Sequence, residues 1–286
     1  MKNYEIKLTS ARGSFTISPR SACKLVAGGL SGFDSSGFDV SVSPFAALQG
    51  GVATRRRFAT RELSLTFEID AVGDEADAIR RDIVSMMDPR EDIELCVNLG
   101  GACRKITVIP YGRADFSRAT LCDRVLVTLR FVAPAVFFTD EAGKRVRFHE
   151  VAPLFTFPMN FISGAGTVTG FYRVSDGADV TNRGDGECGI VAKIRASGGS
   201  VVNPGIRLGE KFVRLNAVLS DGDEVVIDTR PKMKRVSVNG RRVFTFDRDS
   251  EFFSLPAGEN RLCITADSGG EFMDAEIEFH EVYFGA

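Results

Sequence analysis

Long stretches of this chain alternate apolar and polar residues with a period of two, and this constrains the fold more than any other feature. Leu63, Leu65, Phe67 and Ile69 alternate with Ser64, Thr66 and Glu68, and Val125, Val127, Leu129 and Phe131 repeat the pattern. Successive side chains of a strand point to opposite faces, so each run presents one apolar and one polar face. The same reading predicts strands over 104–109, 190–195, 211–215, 223–228, 261–266 and 275–284. Between the apolar runs Val236-Ser237-Val238 and Arg242-Val243-Phe244 stands Asn239-Gly240, a pair suited to a type I′ hairpin turn.

One segment has the helical period instead. Over residues 74–87 (DEADAIRRDIVSMM), Ala76, Ile79, Ile83 and Met86 fall on one stripe, with Met87 beside it. Asp74 is the expected N-cap, acidic residues favour the positive end of the helix dipole, and Asp88-Pro89 stops the helix. A single helix among many strands predicts an antiparallel sheet with one covered face or end. The chain has 286 residues, more than one core usually organises. Strand 125–131 runs into APAVFF, a charged stretch at 140–144 follows, and beyond it only strand signals recur. Two domains are therefore expected, 1–140 and 141–286. The fold class is mainly β: an α+β first domain and an all-β sandwich second.

Composition narrows the function classes. Hydrophobic residues make up 44 % and charged residues 26 %, ordinary values for a globular chain, which argue against disorder. The formal net charge of −2 carries no global footprint for nucleic acid. No stretch approaches the roughly 18 apolar residues of a membrane span, and the first residues lack the apolar core of a signal peptide. Cytoplasmic synthesis is expected. Cys23, Cys96, Cys103, Cys122, Cys188 and Cys263 are scattered, and none forms a C-x-x-C pair. Small buried hydrophobes are expected rather than a disulfide framework.

The sequence offers little chemistry. His149 and His280 are the only histidines. His280 reads as a strand residue, and neither histidine has the close Cys or His neighbours that zinc requires. There is no nucleophile elbow and no Walker loop. Gly164-Ala165-Gly166 with Gly170 has the wrong spacing for a dinucleotide loop, lacks the strand–turn–helix context, and reads as a flexible loop. Arg183-Gly184-Asp185 likewise reads as a turn between strands. Carboxylates are abundant, but the separation a glycosidase needs is invisible in sequence. No catalytic residue, no metal site and no cofactor are therefore expected. The one dense basic cluster is Arg55-Arg56-Arg57 with Arg61. It can be a solvated strand end, or a contact to phosphate or to an acidic neighbouring subunit.

The order of these signals resembles the phage distal tail protein family. The resemblance is carried by RELSLTFEI (61–69), the helix with its Asp88-Pro89 stop, the APAVFF exit, and LFTFP (154–158). In the second half it rests on VTNRGDGECGIVAKIRASGGSVVNPGIRL, LSDGDEVVIDTRPKMKRVSVNG and FFSLPAGENRLCI. Residues 10–60, rich in Gly and Ser, fit no pattern. The resemblance implies a galectin-like or jelly-roll-like sandwich in the second half and a hexameric ring built by the first domains. It implies a baseplate hub at the virion tail tip, made in the host cytoplasm. Its partners would be the tail tube protein, a tail-tip or tail-associated protein, and a receptor-binding protein.

Within 33–61, Phe45, Leu48 and Phe58 are apolar residues in a Gly-, Ser- and Arg-rich setting. Such residues on an extended loop or hairpin can be covered by a neighbouring subunit. Phe45, Leu48, Arg55, Arg56, Arg57 and Phe58 are therefore the expected oligomer contacts, with the arginines meeting carboxylates across the interface. The competing function is a carbohydrate-binding sandwich. Sugar sites favour stacking on Trp, and this chain has no Trp and four Tyr.

Overall fold

The structure, a computed structural model, describes residues 3–118, 124–153, 170–174 and 177–286. The chain packs as two compact units, Met1–Glu141 with Val282–Ala286, and Ala142–Glu281. The last five residues thus return to the first unit, which no local sequence signal announced. Cys122, LFTFP (154–158) and Gly164-Ala165-Gly166 lie outside the described residues.

The first unit contains β1 (Glu5–Ser10), β2 (Gly13–Ile17), β3 (Cys23–Ser31), β4 (Phe38–Pro44), β5 (Gly51–Phe58), β6 (Arg61–Ile69), α1 (Asp74–Met86), β7 (Ile93–Asn98), β8 (Cys103–Pro110), β9 (Asp115–Arg118), β10 (Val125–Ala133) and β11 (Phe138–Asp140). The main sheet runs β11-β8-β7-β1-β2-β3-β6-β10-β9, with the C-terminal strand Val282–Tyr283 outside β11. Phe131 and Val132 of β10 also pair with Pro110 and Ile109 of β8, so seven of these strands close on themselves. Closure leaves those strands no edge and turns one face of each inward. The alternation in β6 and β10 becomes a full register from Arg61↔Ala133 to Ile69↔Val125. Their inward residues Leu63, Leu65, Phe67, Val127, Leu129 and Phe131 are buried.

Helix α1 keeps the expected stripe. Ile83 and Met86 are buried in the core, with Ala76, Ile79 and Met87 packed against it. Its start differs from expectation. The capping position is Gly73 at φ 60°, and Asp74 is the first helical residue, making no side-chain cap. A left-handed entry suits glycine and leaves Asp74 to act on the dipole alone.

The unpatterned region 10–60 holds four complete strands and the start of β1's turn. Between Leu25 and Leu30, β3 shifts register against β6. The shift needs Gly29, because a Cβ there would sit 2.2 Å from the Thr66 carbonyl oxygen. A glycine-containing bulge breaks the period of two, which hides the strand from periodicity.

The second unit contains β12 (Lys144–Arg147), β13 (His149–Pro153), β14 (Gly170–Val174), β15 (Gly177–Asn182), β16 (Ile190–Ala196), β17 (Val201–Val202), β18 (Gly205–Leu208), β19 (Lys211–Arg214), β20 (Val218–Leu219), β21 (Glu224–Asp228), β22 (Arg235–Val238), β23 (Arg241–Val243), β24 (Gly258–Thr265) and β25 (Met273–Phe279). A six-stranded sheet β12-β25-β16-β21-β22-β23 and a four-stranded sheet β15-β24-β18-β19 form the sandwich. Ile190, Ala192, Ile194, Val225, Ile227, Ala275 and Ile277 bury one face of the larger sheet, and Val180, Ile206, Val213, Leu262 and Ile264 one face of the smaller. Asn239 and Gly240 have φ of 49° and 78°, as a type I′ turn requires. The Arg183-Gly184-Asp185 turn is fixed by Asn182, which is buried. Its Oδ1 accepts from Gly184 N at 2.9 Å, and its Nδ2 donates to Gly186 O at 3.0 Å and Leu255 O at 3.1 Å.

Two expectations are corrected. The run 275–284 is not one strand. It breaks at His280-Glu281, β25 ending at Phe279 in the second unit and Val282–Tyr283 pairing with β11 in the first. His280 is therefore not a strand residue. The cysteines are not all free. Cys96 and Cys103 form a disulfide between β7 and β8, while Cys23 and Cys188 are buried thiols and Cys263 is a half-buried one. In the β7–β8 register Cys96 pairs with Lys105 and Asn98 with Cys103, so both sulfurs lie on the same face two pairs apart.

Candidate functional site

Strands β4 and β5 pair with each other and, among the described residues, with no other strand. An isolated two-stranded hairpin is marginal in water, and here each strand keeps one unpaired backbone edge. The register starts at Phe38↔Phe58 and ends at Pro44↔Gly51, with a bulge between Ser41 and Val42. Phe45 N donates to Gly50 O at 3.1 Å and closes the tip. Gly51 is required there, since a Cβ would lie 2.5 Å from the Ser43 carbonyl oxygen.

Cross-strand pairs share a face. One face therefore carries Phe38, Val40, Val42, Arg56 and Phe58. The other carries Asp39, Ser41, Ser43, Arg55 and Arg57. Val40 is 57 % exposed and Val42 59 %, and Phe45 and Leu48 at the tip are also exposed, Leu48 by 75 %. This concentration of uncovered apolar residues on one slender element makes the hairpin the candidate contact surface.

The root of the hairpin is anchored. Phe58 lies 5.3 Å from Phe38, 4.8 Å edge-on from Phe137 and 5.1 Å from Phe284, centroid to centroid. Ala59 N donates to Gly37 O at 2.8 Å. Just beyond, Arg61 is 1 % exposed. Its Nη2 donates to the Phe284 carbonyl and its guanidinium lies 4.9 Å from the Phe138 ring centre, while Nε and Nη1 have no partner among the described residues. Burial lowers the Arg61 pKa.

The residues expected at a contact thus separate. Phe45 and Leu48 sit at the exposed tip. Phe58 is spent on the root. Arg57 Nε donates to Asp39 Oδ2 at 2.8 Å and Arg55 Nε lies 3.7 Å from the same oxygen, so these two neutralise a carboxylate of their own hairpin. The Arg57 hydrogen bond holds the Asp39 carboxyl below its usual range, with the charges of Arg55 and Arg57 adding to it. Arg56, on the apolar face, has no carboxylate partner among the described residues. Phe38, Val40 and Val42 were not anticipated, although Phe38-Asp39-Val40-Ser41-Val42-Ser43 alternates with period two. The glycines and serines on either side masked that short run.

Elsewhere, ligand atoms of Cys96, Cys103 and Glu141 lie within 4.8 Å of one another, but both sulfurs are used in the disulfide. The His149 side chain lies outside the described residues.

Residues 183–283 match the family described as siphovirus-type tail component, C-terminal domain. No curated protein matches the chain in sequence. The crystal structure of SPP1 Dit (gp 19.1), titled a paradigm of the hub adsorption apparatus in phages infecting Gram-positive hosts, matches at TM-score 0.67 and 14 % identity. The match covers 97 % of this chain and 98 % of that one. A chain from the phage p2 baseplate in its activated conformation with Sr matches at TM-score 0.48 and 10 % identity over 97 % of each chain. Residues 183–283 thus resemble a siphovirus-type tail component C-terminal domain, and the chain shares the fold of SPP1 Dit over nearly its whole length.

Proposed function

We propose that this protein is a structural baseplate hub component of a siphovirus-type tail tip. Six copies form a ring through their first units and join the tail tube protein to tail-tip and receptor-binding proteins. The hub role agrees with the tail-component match in the second unit and with the fold shared with SPP1 Dit. The observation that carries the ring is the β4–β5 hairpin. Its exposed Val40, Val42, Phe45 and Leu48 and its unpaired edges form a surface the first unit does not cover. In a closed ring of identical copies such an arm meets a different surface on the next copy. The reading needs no catalysis, and the hub places the protein in the virion tail after synthesis in the host.

Replacing residues 40–56 by an Asn-Gly turn retains Phe38, Phe58 and the root. The full chain is expected to form rings by light scattering and electron microscopy, and the shortened chain is expected to remain monomeric with unchanged circular dichroism. Rings at wild-type yield from the shortened chain would refute this assignment. The carbohydrate-binding alternative finds no specific support among the described residues of the second unit.

A further inference from the structure

We infer that the arm of one copy docks in the groove between the start of α1 and strands β9 and β10 of the next copy. This rests on the ring reading above. The groove has a volume of about 330 Å³ and is lined by Ala71, Val72, Ala76, Asp77, Phe116 and Val125, among others.

Three observations join arm and groove. The first is position. The hairpin root lies at the Arg61 end of β6, and the groove lies at the Ile69 end, where Ile69 pairs with Val125. At about 3.3 Å per residue, the nine-residue strand separates the two ends by roughly 26 Å. A head-to-tail ring requires this: two different patches, far enough apart for one copy to give at one and receive at the other.

The second is charge. Arg56 has no carboxylate within its own hairpin, and Arg55 and Arg57 share only Asp39. Asp77 lines the groove and shares the first turn of α1 with Asp74 and Glu75; all three are exposed and none is in an ion pair among the described residues. The cation inside the groove, Arg80, is already turned onto Phe116, 5.0 Å from the ring centre.

The third is apolar surface. Val72 at the lip of the groove is 74 % exposed, matching the exposed Leu48 at the tip of the arm. Burying these residues together removes two uncovered apolar side chains from water, and the arginine–carboxylate pairs fix the register.

Two measurements test this on the full chain. In analytical ultracentrifugation, Arg56→Asp and Asp77→Arg should each weaken self-association about tenfold, and the double variant should recover most of that loss. In oxidative cross-linking, mixing Leu48→Cys with Val72→Cys should give a covalent dimer absent from either variant alone. Circular dichroism checks that each variant folds. If rings persist at wild-type strength in both charge variants, or the mixture gives no dimer while rings form, the groove is wrong and the ring reading stands. If the wild-type chain is monomeric at every concentration, the ring reading fails and takes the groove with it.

Discussion

At the scale of single residues, two buried polar groups show how environment sets the behaviour of a side chain. Cys23 opens β3 and is 4 % exposed. Burial disfavours its thiolate and pushes its pKa from 9.0 up to about 11. The unfolded chain therefore releases this proton first as pH rises. The stabilising contribution is complete below about pH 9 and is lost between 9 and about 11. The loss should be on the order of 2–3 kcal/mol, and Cys23→Ala should flatten that part of a stability–pH profile from urea unfolding. Arg61 is the opposite case, a permanent charge with a hydrogen bond to the Phe284 carbonyl and two donors that lack a partner among the described residues. Its bulk fills space beside Phe138, while its charge gains little in return. Arg61→Met should keep stability within about 1 kcal/mol of wild type. Arg61→Ala should lose about 3 kcal/mol by opening a cavity, as read by denaturant unfolding.

At the scale of elements, the hairpin differs from every other strand pair in the first unit. The barrel strands β6 and β10 share nine paired positions and bury one face, so a local fault there is felt throughout the core. Among the described residues the hairpin is supported at its root, through Phe58 and its aromatic neighbours. Faults near its tip should stay local. Gly51→Val places side-chain atoms against Ser43 O and Val42. The expected outcome is rapid hydrogen exchange and protease cleavage confined to residues 40–56, with the thermal midpoint shifted by less than about 2 °C. A larger drop in the midpoint would mean that the hairpin supports the core.

At the scale of the whole molecule, the first unit is completed by the end of the chain. Val282 and Tyr283 pair with Thr139 and Phe138. Arg104 stacks 4.0 Å from the Tyr283 ring centre and donates to Gly285 O at 2.6 Å. Ala286 N donates to Phe33 O at 2.9 Å. Phe284 adds its ring to the hairpin root. Deleting 282–286 should therefore weaken the first unit and spare the second. Hydrogen exchange should accelerate in β8, β11 and around Phe33, and remain unchanged in β16 and β21. The reverse pattern would mean that these residues belong energetically to the sandwich.

Local chemistry determined much of this fold before any packing was seen. Alternation placed β6, β10, β16 and β21 because a half-buried strand must segregate its faces, and the 3.6-residue stripe placed α1 because one side of that helix enters the core. Asn239-Gly240 specified its turn because both positions must take positive φ. The arm was legible only in part: Phe45, Leu48 and the three arginines stood out by type, but Phe38, Val40 and Val42 did not. Tertiary structure alone decided the rest, because these features join residues far apart in the chain. A bulge at Gly29 hid β3, since its register is set by the Thr66 backbone. The disulfide depended on how β7 and β8 pair. The break at His280-Glu281 depended on two units claiming the two halves of one apolar run. Which arginines pair within the hairpin was decided by Asp39, whose carboxylate the fold places beside Arg55 and Arg57.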